Sequence, residues 1–401
     1  MDEHELLSLA DQCVKCGLCL PHCPTFRLRR DEADSPRGRV ALIQGLATGQ
    51  LRDGPRLAGH LDGCLTCRAC EVACPSLVQF GTLMDAARAA RVNRLPAPLR
   101  RWQRLRLDLL SGARALPWLA LFAAGYRRFG GAMLARAAGL LRRPRPRVLH
   151  GLALRLRWPR RPEPVGPWPA GDARTRSVAL FQGCVARALE PEVMEAARLV
   201  FARLGVAVAE PDEQVCCGAM HRHNGFPDAA DALLAQNRAV FGEAKLVGAA
   251  SACVAELRAA LSVTELCRAL LDAPWPAALA PRLPSGVVAV HEPCSHRNQL
   301  RDTSAIYDLL ARISGLEVVP LPGNETCCGA AGTYLLDQSQ TALRLAADKV
   351  DALARLRPRW LATTNTGCAA HLGAAALEAG LHVEVVHPVV LLARSLSGAR
   401  G

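Results

Sequence analysis

The sequence lacks three features that would each suggest a different kind of protein. No G-x-G-x-x-G fingerprint follows a predicted strand, since "GGAMLARAAG" at 130–139 does not match it, so we expect no NAD or FAD in this chain. The apolar run "ALPWLALFAAGY" at 115–126 is shorter than the roughly 20 residues needed to cross a bilayer. The opening "MDEHELLSLADQC" has neither the basic start nor the apolar run of a secretory signal. We therefore expect a cytoplasmic protein, either free or peripheral on the inner face of the cell membrane.

Lysine is scarce as well, with three Lys beside 46 Arg in a chain of formal charge +13. The positive charge is local, because residues 91–162 contain 18 Arg and a single acid, Asp108, and carry +17. The rest of the chain has a net charge of −4. The overall charge is therefore no general signal of nucleic-acid binding, and we expect no nucleic-acid partner.

Cysteine, in contrast, is abundant, with 17 residues. A chain of 401 residues can bury a hydrophobic core without disulfide staples. A reducing compartment also keeps most thiols free. The close spacing of these cysteines then indicates metal binding or redox chemistry.

Two near copies of one cysteine motif lie in the first quarter of the chain. The stretches "CVKCGLCLPHCP" at 13–24 and "CLTCRACEVACP" at 64–75 both have the spacing C-x2-C-x2-C-x3-C-P. Three such thiols can hold three corners of a cubane, and in two-cluster ferredoxins the cysteine before proline ligates the other cluster. The spacing thus predicts two 4Fe-4S clusters with crossed ligands. One predicted set is Cys13, Cys16, Cys19 with Cys74, and the other is Cys64, Cys67, Cys70 with Cys23.

The competing interpretation of these motifs is a pair of structural zinc sites. Zinc uses C-x2-C pairs but has no need of a third cysteine at the same spacing with Cys-Pro behind it. Gly17, Thr66 and Ala69 leave room for backbone amides near cluster sulfides. These points favour iron-sulfur clusters over zinc.

After residue 175, short apolar runs alternate with amphipathic helices, which predicts α/β units. The strand "SVALF", a helix ending at Gly205 and the strand "VAVAE" are followed later by "GVVAVHEPC", a helix ending at Gly315 and "LEVVPL". The cysteines repeat with offsets of 110 to 115 residues, and both copies contain Cys-Cys-Gly-Ala. We therefore predict a duplicated module, called here the Cys-Cys-Gly module. The first set is Cys184, Cys216, Cys217 and Cys253, and the second is Cys294, Cys327, Cys328 and Cys368.

The predicted fold class is α+β, with a helical two-cluster ferredoxin-like domain followed by two α/β modules. The predicted boundaries are residues 1–94 for the two-cluster domain, 95–175 for an Arg- and Pro-rich linker or contact segment, 176–283 for the first module and 284–401 for the second. "RRPRPR" and "WPRRPEPVGPWP" in the second segment indicate turns and extended linker. Its apolar run between arginines favours either an anionic membrane surface, a partner subunit or a solvated insertion.

Taken together, these motifs resemble the iron-sulfur subunit of bacterial glycolate oxidase (glycolate dehydrogenase), within the heterodisulfide reductase-like superfamily. Local similarity lies in "CLTCRACEVACPSLVQFG", "GCVARALEPEV", "CCGAMHRHNG", "CCGAAGTYLL" and "TTNTGCAAHL", and only the Arg-rich stretch falls outside it. The resemblance implies an oxidoreductase complex in which FAD-binding flavoprotein subunits oxidise glycolate to glyoxylate. This chain would then pass electrons toward a quinone and carry no catalytic residue. The alternatives are a subunit of a lactate or glycerol-3-phosphate dehydrogenase, or a heterodisulfide reductase-like catalytic subunit.

The modules depart from that superfamily at one point. In the heterodisulfide reductase relatives the last cysteine motif is C-x-x-C, but here Glu256 follows Cys253 and His371 follows Cys368 at that spacing. Four cysteines per module remain, which leaves open a cluster or metal, redox-active thiols, or inert buried cysteines. Five histidine and asparagine side chains and one more cysteine lie near these motifs: His221, His223, Asn224, His291, His296 and Cys267, the last expected in the core.

Overall fold

The structure, a computed structural model, describes residues 3–112, 115–156 and 177–397. The stretch "WPRRPEPVGPWP" at 158–169, expected to be extended linker, lies outside the described residues. The described chain forms a helical N-terminal domain, a group of middle helices and two α/β modules. The predicted fold class is thereby confirmed.

The N-terminal domain packs its helices around a small apolar core. Ile43, Leu61, Leu83 and Met84 are fully buried there. Three of the helices begin with proline, whose fixed φ suits a first helical turn. The stretches "GRVALIQGLATG" and "TLMDAARAARV" fall largely within the third and the last of these helices. The elements are α1 (Glu3–Asp11), α2 (Pro24–Arg29), a 3-10 turn (Glu32–Asp34), α3 (Pro36–Ala47), α4 (Pro55–Asp62), α5 (Ala69–Val72) and α6 (Phe80–Arg94).

Residues 97–155 are largely helical, so the expectation of turns and linker was wrong for this part. The elements are α7 (Ala97–Ser111), α8 (Ala115–Arg128), α9 (Gly131–Ala137), a 3-10 turn (Leu140–Arg142) and α10 (Pro144–Arg155). The prolines of "RRPRPR" did not prevent a helix, because Pro144 and Pro146 fall in the first turn of α10, where proline is tolerated. Among the described residues, no helix combines the length and apolar character needed to span a membrane.

The middle helices pack on the second module rather than projecting from it. Helix α10 crosses helix α20 (Thr366–Glu378) of the second module so closely that a Cβ on Gly151 would lie 2.6 Å from the Cβ of Ala374. Arg106 and Arg145 both pair with Asp337, at 2.7 and 3.4 Å. Part of the local positive charge is therefore used to fasten these helices to the protein.

Each module contains a four-stranded parallel sheet, and the two sheets have the same strand order, β2-β1-β3-β4 and β6-β5-β7-β8. This shared topology agrees with the duplication inferred from the cysteines. The first module has β1 (Ser177–Phe181), α11 (Ala186–Leu189), α12 (Pro191–Arg203), β2 (Ala207–Ala209), α13 (Ala219–His223), α14 (Pro227–Phe241), β3 (Leu246–Gly248), α15 (Ser251–Leu257), β4 (Val263–Glu265) and α16 (Leu266–Leu271). The second has β5 (Arg282–Val290), a π-helical turn (Ser295–Leu300), α17 (Ser304–Ala311), β6 (Ser314–Pro320), α18 (Tyr334–Asp337), α19 (Ser339–Leu356), β7 (Trp360–Ala362), α20 (Thr366–Glu378), β8 (Glu384–Val386) and α21 (Pro388–Ser397).

The two modules share one hydrophobic core. Helices α12 and α16 of the first module face α17 and α21 of the second, and Phe201, Leu266, Ile306 and Leu391 are buried between them. Cys267 lies in this core without exposure, as expected. The shared core holds both sets of strand ends in one fixed relation.

A buried ion pair lies at the centre of the N-terminal domain. Arg39 and Asp34 are almost completely buried, and their Nη2 and Oδ1 atoms are 3.2 Å apart. Arg39 also donates to the His60 carbonyl at 2.7 Å and to Thr25 Oγ1 at 3.0 Å. These contacts fix the chain around Cys23, whose Sγ lies 3.3 Å from Thr25 Oγ1.

We expect Arg39→Met to lower the free energy of unfolding by about 3 kcal/mol, because it removes the most buried of the three partners of Asp34, beside Arg29 and His60, and leaves the acceptors of the Arg39 hydrogen bonds unpaired. Arg56→Met, at an exposed position of α4, serves as the control and is expected to change stability by less than about 0.5 kcal/mol. Urea unfolding of anaerobically purified protein measures both. Equal stability of the two variants would contradict the assigned role of the ion pair.

Candidate metal centres

The two N-terminal cysteine loops have the same backbone shape. In each loop the residues on either side of the second cysteine have positive φ: Lys15 (56°) and Gly17 (85°) in the first, Thr66 (49°) and Arg68 (57°) in the second. Left-handed residues among right-handed ones turn successive N–H groups to one side and build an anion-binding concavity. The conformation is unfavourable for Lys, Thr and Arg, and its recurrence indicates two loops shaped for similar ligands.

Cys23 lies with the second loop although it belongs to the first motif. Burial is the main cause that raises the pKa of Cys67 and Cys70, and charge on Cys23 adds to it, so Cys23 lies within electrostatic range of both thiols. Cys23, Cys64 and Cys70 are all buried. This arrangement supports the predicted ligand set Cys64, Cys67, Cys70 with Cys23.

The other four thiols lie nearer the surface. Burial, and to a smaller extent charge on Cys13 and Cys16, raises the pKa of Cys19. Cys74 packs with Cys13 and Cys19 against the N-terminal core, while Cys16 is exposed. The set Cys13, Cys16, Cys19 with Cys74 therefore remains a prediction that this placement supports.

The chemistry of the inner set fits a positively charged inorganic core. Desolvation first, and charge on neighbouring cysteines second, raise the pKa of Cys67 and Cys70 well above the ordinary thiol range. Without a counter-charge these thiols would keep their protons. Metal binding replaces those protons and stabilises the thiolates. The four sulfur donors and the strained loops thus suit an iron-sulfur cluster.

The module cysteines collect at the carboxyl ends of the central strands. Cys184 follows β1 and Cys253 lies in the first turn of α15 after β3; Cys294 and Cys368 take the same places after β5 and β7. In each sheet the chain leaves these two strands in opposite directions, which is where open α/β sheets bind ligands. The sulfur atoms of Cys184 and Cys216 are 3.5 Å apart, those of Cys294 and Cys327 3.8 Å, and those of Cys328 and Cys368 3.2 Å.

The glycine of each Cys-Cys-Gly sequence shapes its cysteine turn. Gly218 and Gly329 have φ of 94° and 95°, in the left-handed region that favours glycine. Their N–H groups donate to the Sγ of Cys216 and Cys327 at 3.5 and 3.4 Å. A Cβ on Gly329 would lie 2.7 Å from the carbonyl oxygen of Ala342. The turn therefore requires glycine for both its conformation and its packing.

The thiols of the first module are hydrogen-bonded to one another. Hydrogen bonds from Cys184 and Cys217 lower the pKa of Cys216, and the same bonds raise those of the two donors. One thiolate in this set is thus stabilised by its neighbours. Such a group can bind a metal with release of the remaining protons.

The second module contains a buried imidazole and a buried ammonium that the sequence interpretation did not single out as a pair. Burial, then the charge on Lys349, lowers the pKa of His291 to about 3, so its imidazole is neutral. Lys349 is 1% exposed and donates to the Gly323 carbonyl. Burial lowers the pKa of Lys349, and charge on Cys328 and Cys327 opposes that shift. A cation beside these sulfurs offsets negative charge that a bound centre would bring.

The inner N-terminal set and the second module meet. A charge on Cys294 raises the pKa of Cys67, and a charge on Cys67 raises that of Cys327. Asn298 Nδ2 donates to the Cys67 carbonyl at 2.8 Å, and Tyr334 donates to the Gly63 carbonyl at 3.3 Å. Two sets of thiols from distant parts of the chain are thus brought into one neighbourhood.

A cavity of about 1120 Å³ lies between the N-terminal domain, the middle helices and both modules. Cysteines from both modules line it, together with Cys64. Much of its lining is apolar, and α7, α8 and α10 contribute many of the apolar side chains. They include Leu107, Leu110, Phe122, Tyr126, Leu149 and His150.

The remaining candidate residues either line the cavity or are hydrogen-bonded to other parts of the protein. His223 and Asn224 line the cavity with Cys216 and Cys217, whereas His221 is buried and contacts Asp108 Oδ1 at 3.0 Å. His296 contacts Thr364 Oγ1 at 2.8 Å, and His371 contacts the Ala342 carbonyl at 3.0 Å.

Glu256, which replaces a cysteine of the C-x-x-C pattern, accepts a hydrogen bond from Arg222 Nε at 2.5 Å. Its carboxylate is thereby committed to an ion pair. No clear sequence signal marked three other groups: Arg39, Lys349 and the pair of Tyr126 with His150, whose Oη and Nδ1 atoms are 2.7 Å apart.

Comparison with known proteins agrees with this architecture. Residues 9–78 match the family model of a 4Fe-4S dicluster domain, and residues 178–258 and 288–373 match that of a cysteine-rich domain. The glycolate oxidase iron-sulfur subunit of Escherichia coli (strain K12) is 30% identical over 404 residues, which cover 94% of each chain. This chain belongs to the glycolate oxidase iron-sulfur subunit family.

Other members and relatives of this family differ in coverage. The probable glycolate oxidase iron-sulfur subunit of Bacillus subtilis (strain 168) is 30% identical over 98% of this chain and 94% of its own. Lactate utilization protein A of Bacillus thuringiensis (strain Al Hakam) is 25% identical over 52% of this chain and 95% of its own. A solved aspartate racemase homologue from Pyrococcus horikoshii OT3 covers 56% of this chain and 98% of its own, at 12% identity and a TM-score of 0.21.

We expect Gly329→Ala to destabilise the second module by about 1–3 kcal/mol, since alanine strains the left-handed turn and meets the Ala342 carbonyl. Gly380→Ala is the matched control, because Gly380 also has positive φ (72°) but nothing lies within 4 Å of its added Cβ. Urea unfolding measures the loss of stability in each variant. The difference between the two losses is the cost of crowding at the cysteine turn. Equal losses in both variants would contradict the packing requirement.

Proposed function

We propose that this chain is the electron-transfer subunit of a flavin-dependent glycolate dehydrogenase, receiving electrons from a flavoprotein subunit and passing them toward a quinone. The observation that carries the proposal is a continuous series of cysteine sets from an exposed loop to an apolar cavity. When bound, 4Fe-4S clusters accept and release single electrons.

The surface around the outer set suits a partner protein. Val14 and Leu18 are exposed in the first loop, and Val72 and Leu77 are exposed on either side of Cys74. Exposed apolar side chains beside the proposed ligands can contribute to an interaction surface. A flavoprotein docked there would lie next to Cys13, Cys16, Cys19 and Cys74.

The inner set leads from this surface into the protein. Cys23 and Cys74 each lie in the motif opposite to the set proposed for them, so crossed ligation would hold the two clusters close together. From the inner set, Cys67 adjoins Cys294 and Cys327 of the second module. The second module is therefore the next electron carrier in the proposed path.

The cavity has the properties expected of a quinone site. It is mostly apolar and reaches the cysteines of both modules. Tyr126 with His150, and His223 with Asp85 at 2.9 Å, provide polar groups that can hydrogen-bond quinone oxygens. These pairs also offer protons, which quinone reduction consumes.

The mouth of this cavity favours access from a membrane. Leu119, Phe122, Leu140 and Leu149 line the cavity and are also exposed to the surface. Trp118 and Phe129 are exposed on the same helical segment, among arginines that favour anionic headgroups. We therefore place this face of the protein against the inner surface of the cell membrane.

We expect Cys23→Ser to reduce bound iron by about four atoms per chain, from at least about eight, because Cys23 is assigned to the inner cluster. Cys267→Ser, a buried cysteine on α16 outside every proposed set, is the control and retains all iron. Iron and sulfide analysis of anaerobically purified protein measures both. A loss of iron from the outer cluster alone would contradict crossed ligation. A colourless protein containing zinc would overturn the proposed function.

The purified complex with its flavoprotein subunits is expected to reduce a water-soluble artificial acceptor with glycolate and much more slowly with lactate.

Phe122→Asp should lower only the rate with a membrane quinone, because it introduces charge at the cavity mouth. Leu377→Asp, an exposed position that does not line the cavity, is the matched control. A preference for lactate would refute the substrate assignment, and normal quinone reduction by Phe122→Asp would refute the cavity assignment.

A further inference from the structure

The two modules correspond closely at their strand ends, including the hydrogen bonds. In the first, Gln214 accepts from the Gln182 amide at 2.8 Å and donates to the Leu180 carbonyl at 3.3 Å. In the second, Asn324 accepts from the Glu292 amide at 3.2 Å and donates to the Val290 carbonyl at 2.9 Å. This correspondence aligns the residue between the two bonded positions in each module. That residue is Phe181 in the first module and His291 in the second.

The two aligned side chains have opposite chemistry in similar surroundings. Phe181 packs edge-on against Phe241, with ring centroids 6.2 Å apart, and needs no polar partner. His291 is 1% exposed, and neither of its ring nitrogens makes a well-formed hydrogen bond among the described residues. The Asn324 side chain lies near enough to affect the imidazole, but its amide is already bonded to the Glu292 amide and the Val290 carbonyl. An unsatisfied buried polar group costs about 1–3 kcal/mol. The imidazole therefore needs a partner that the protein chain does not supply.

The imidazole lies beside two thiols of the second set. One ring nitrogen of His291 and the Sγ atoms of Cys328 and Cys368 all lie within 4.8 Å of one another. Two sulfur donors and one imidazole nitrogen form a recognised donor set for iron and zinc. Other buried histidines nearby are already engaged, since His371 contacts the Ala342 carbonyl and His387 contacts the Ala249 carbonyl.

We propose that His291 ligates an iron centre in the second module together with Cys328 and Cys368, whereas a centre in the first module has thiolate ligands only. The two duplicated sites are then chemically distinct. Imidazole in place of thiolate raises the reduction potential of an iron-sulfur centre. The positive charge of the nearby Lys349 ammonium also raises the reduction potential. The second module would thus attract electrons from the adjoining inner cluster, which refines the proposed function without depending on the substrate.

The test uses the full chain, purified without oxygen, labelled with 15N-histidine and reduced with dithionite. Pulsed electron paramagnetic resonance is expected to detect 15N coupling to one iron centre. His291→Phe, which copies the first module, should abolish that coupling. His371→Asn is the matched control, because His371 lies next to the same cysteines but is engaged elsewhere, and it should retain the coupling.

A second variant separates ligation from folding. His291→Cys supplies a thiolate in place of the imidazole, so it should keep the native iron content, lose the 15N coupling and shift the midpoint potential to a more negative value. Coupling that persists in His291→Phe, a native protein without histidine coupling, or zinc instead of iron in the second module would each overturn the proposal. These measurements need no flavoprotein or glycolate, so their failure is distinguishable from failure of the proposed function.

Discussion

The architecture depends on the packing of Cys67 of the N-terminal domain and Cys294 of the second module against one shared apolar cluster. These thiols come from segments more than two hundred residues apart, yet a charge on one changes the pKa of the other. The Asn298 and Tyr334 hydrogen bonds hold the two surfaces in place. Because electron transfer requires short distances, the middle helices and the shared core of the modules can be understood as the frame that maintains this contact.

Closely spaced thiolates carry negative charge that must be compensated, and in this fold the compensating groups lie beside the cysteines. Thiolates removed from water are unstable unless cations or aligned N–H groups face them. Arg39 approaches Cys23, Lys349 lies near Cys327 and Cys328, and Gly329 donates its amide to a sulfur. Each of these groups compensates charge at different cysteines, so one cannot replace another.

Sequence reasoning predicted the features that depend on local spacing. The cysteine motifs, the duplicated strands and the helix at Pro191–Arg203 follow from short patterns that the structure reproduces. It was wrong for residues 97–155, because prolines in the first turn of a helix resemble linker prolines in a sequence. The importance of Lys349 and of the unpartnered His291 was not apparent, since both depend on contacts between residues distant along the chain. Crossed ligation and the domain boundaries remain predictions.

The left-handed residues Lys15, Thr66 and Arg68 also bear on how the protein matures. Each non-glycine residue held in this conformation costs about 1–2 kcal/mol. A newly made chain that has not yet received its inorganic components has little to offset that cost, so its loops tend to relax into more open shapes. Loading then closes the loops, and the bonds between the thiolates and the inorganic core offset the backbone strain. Biogenesis machinery would accordingly meet flexible loops, whereas the mature protein would resist demetallation.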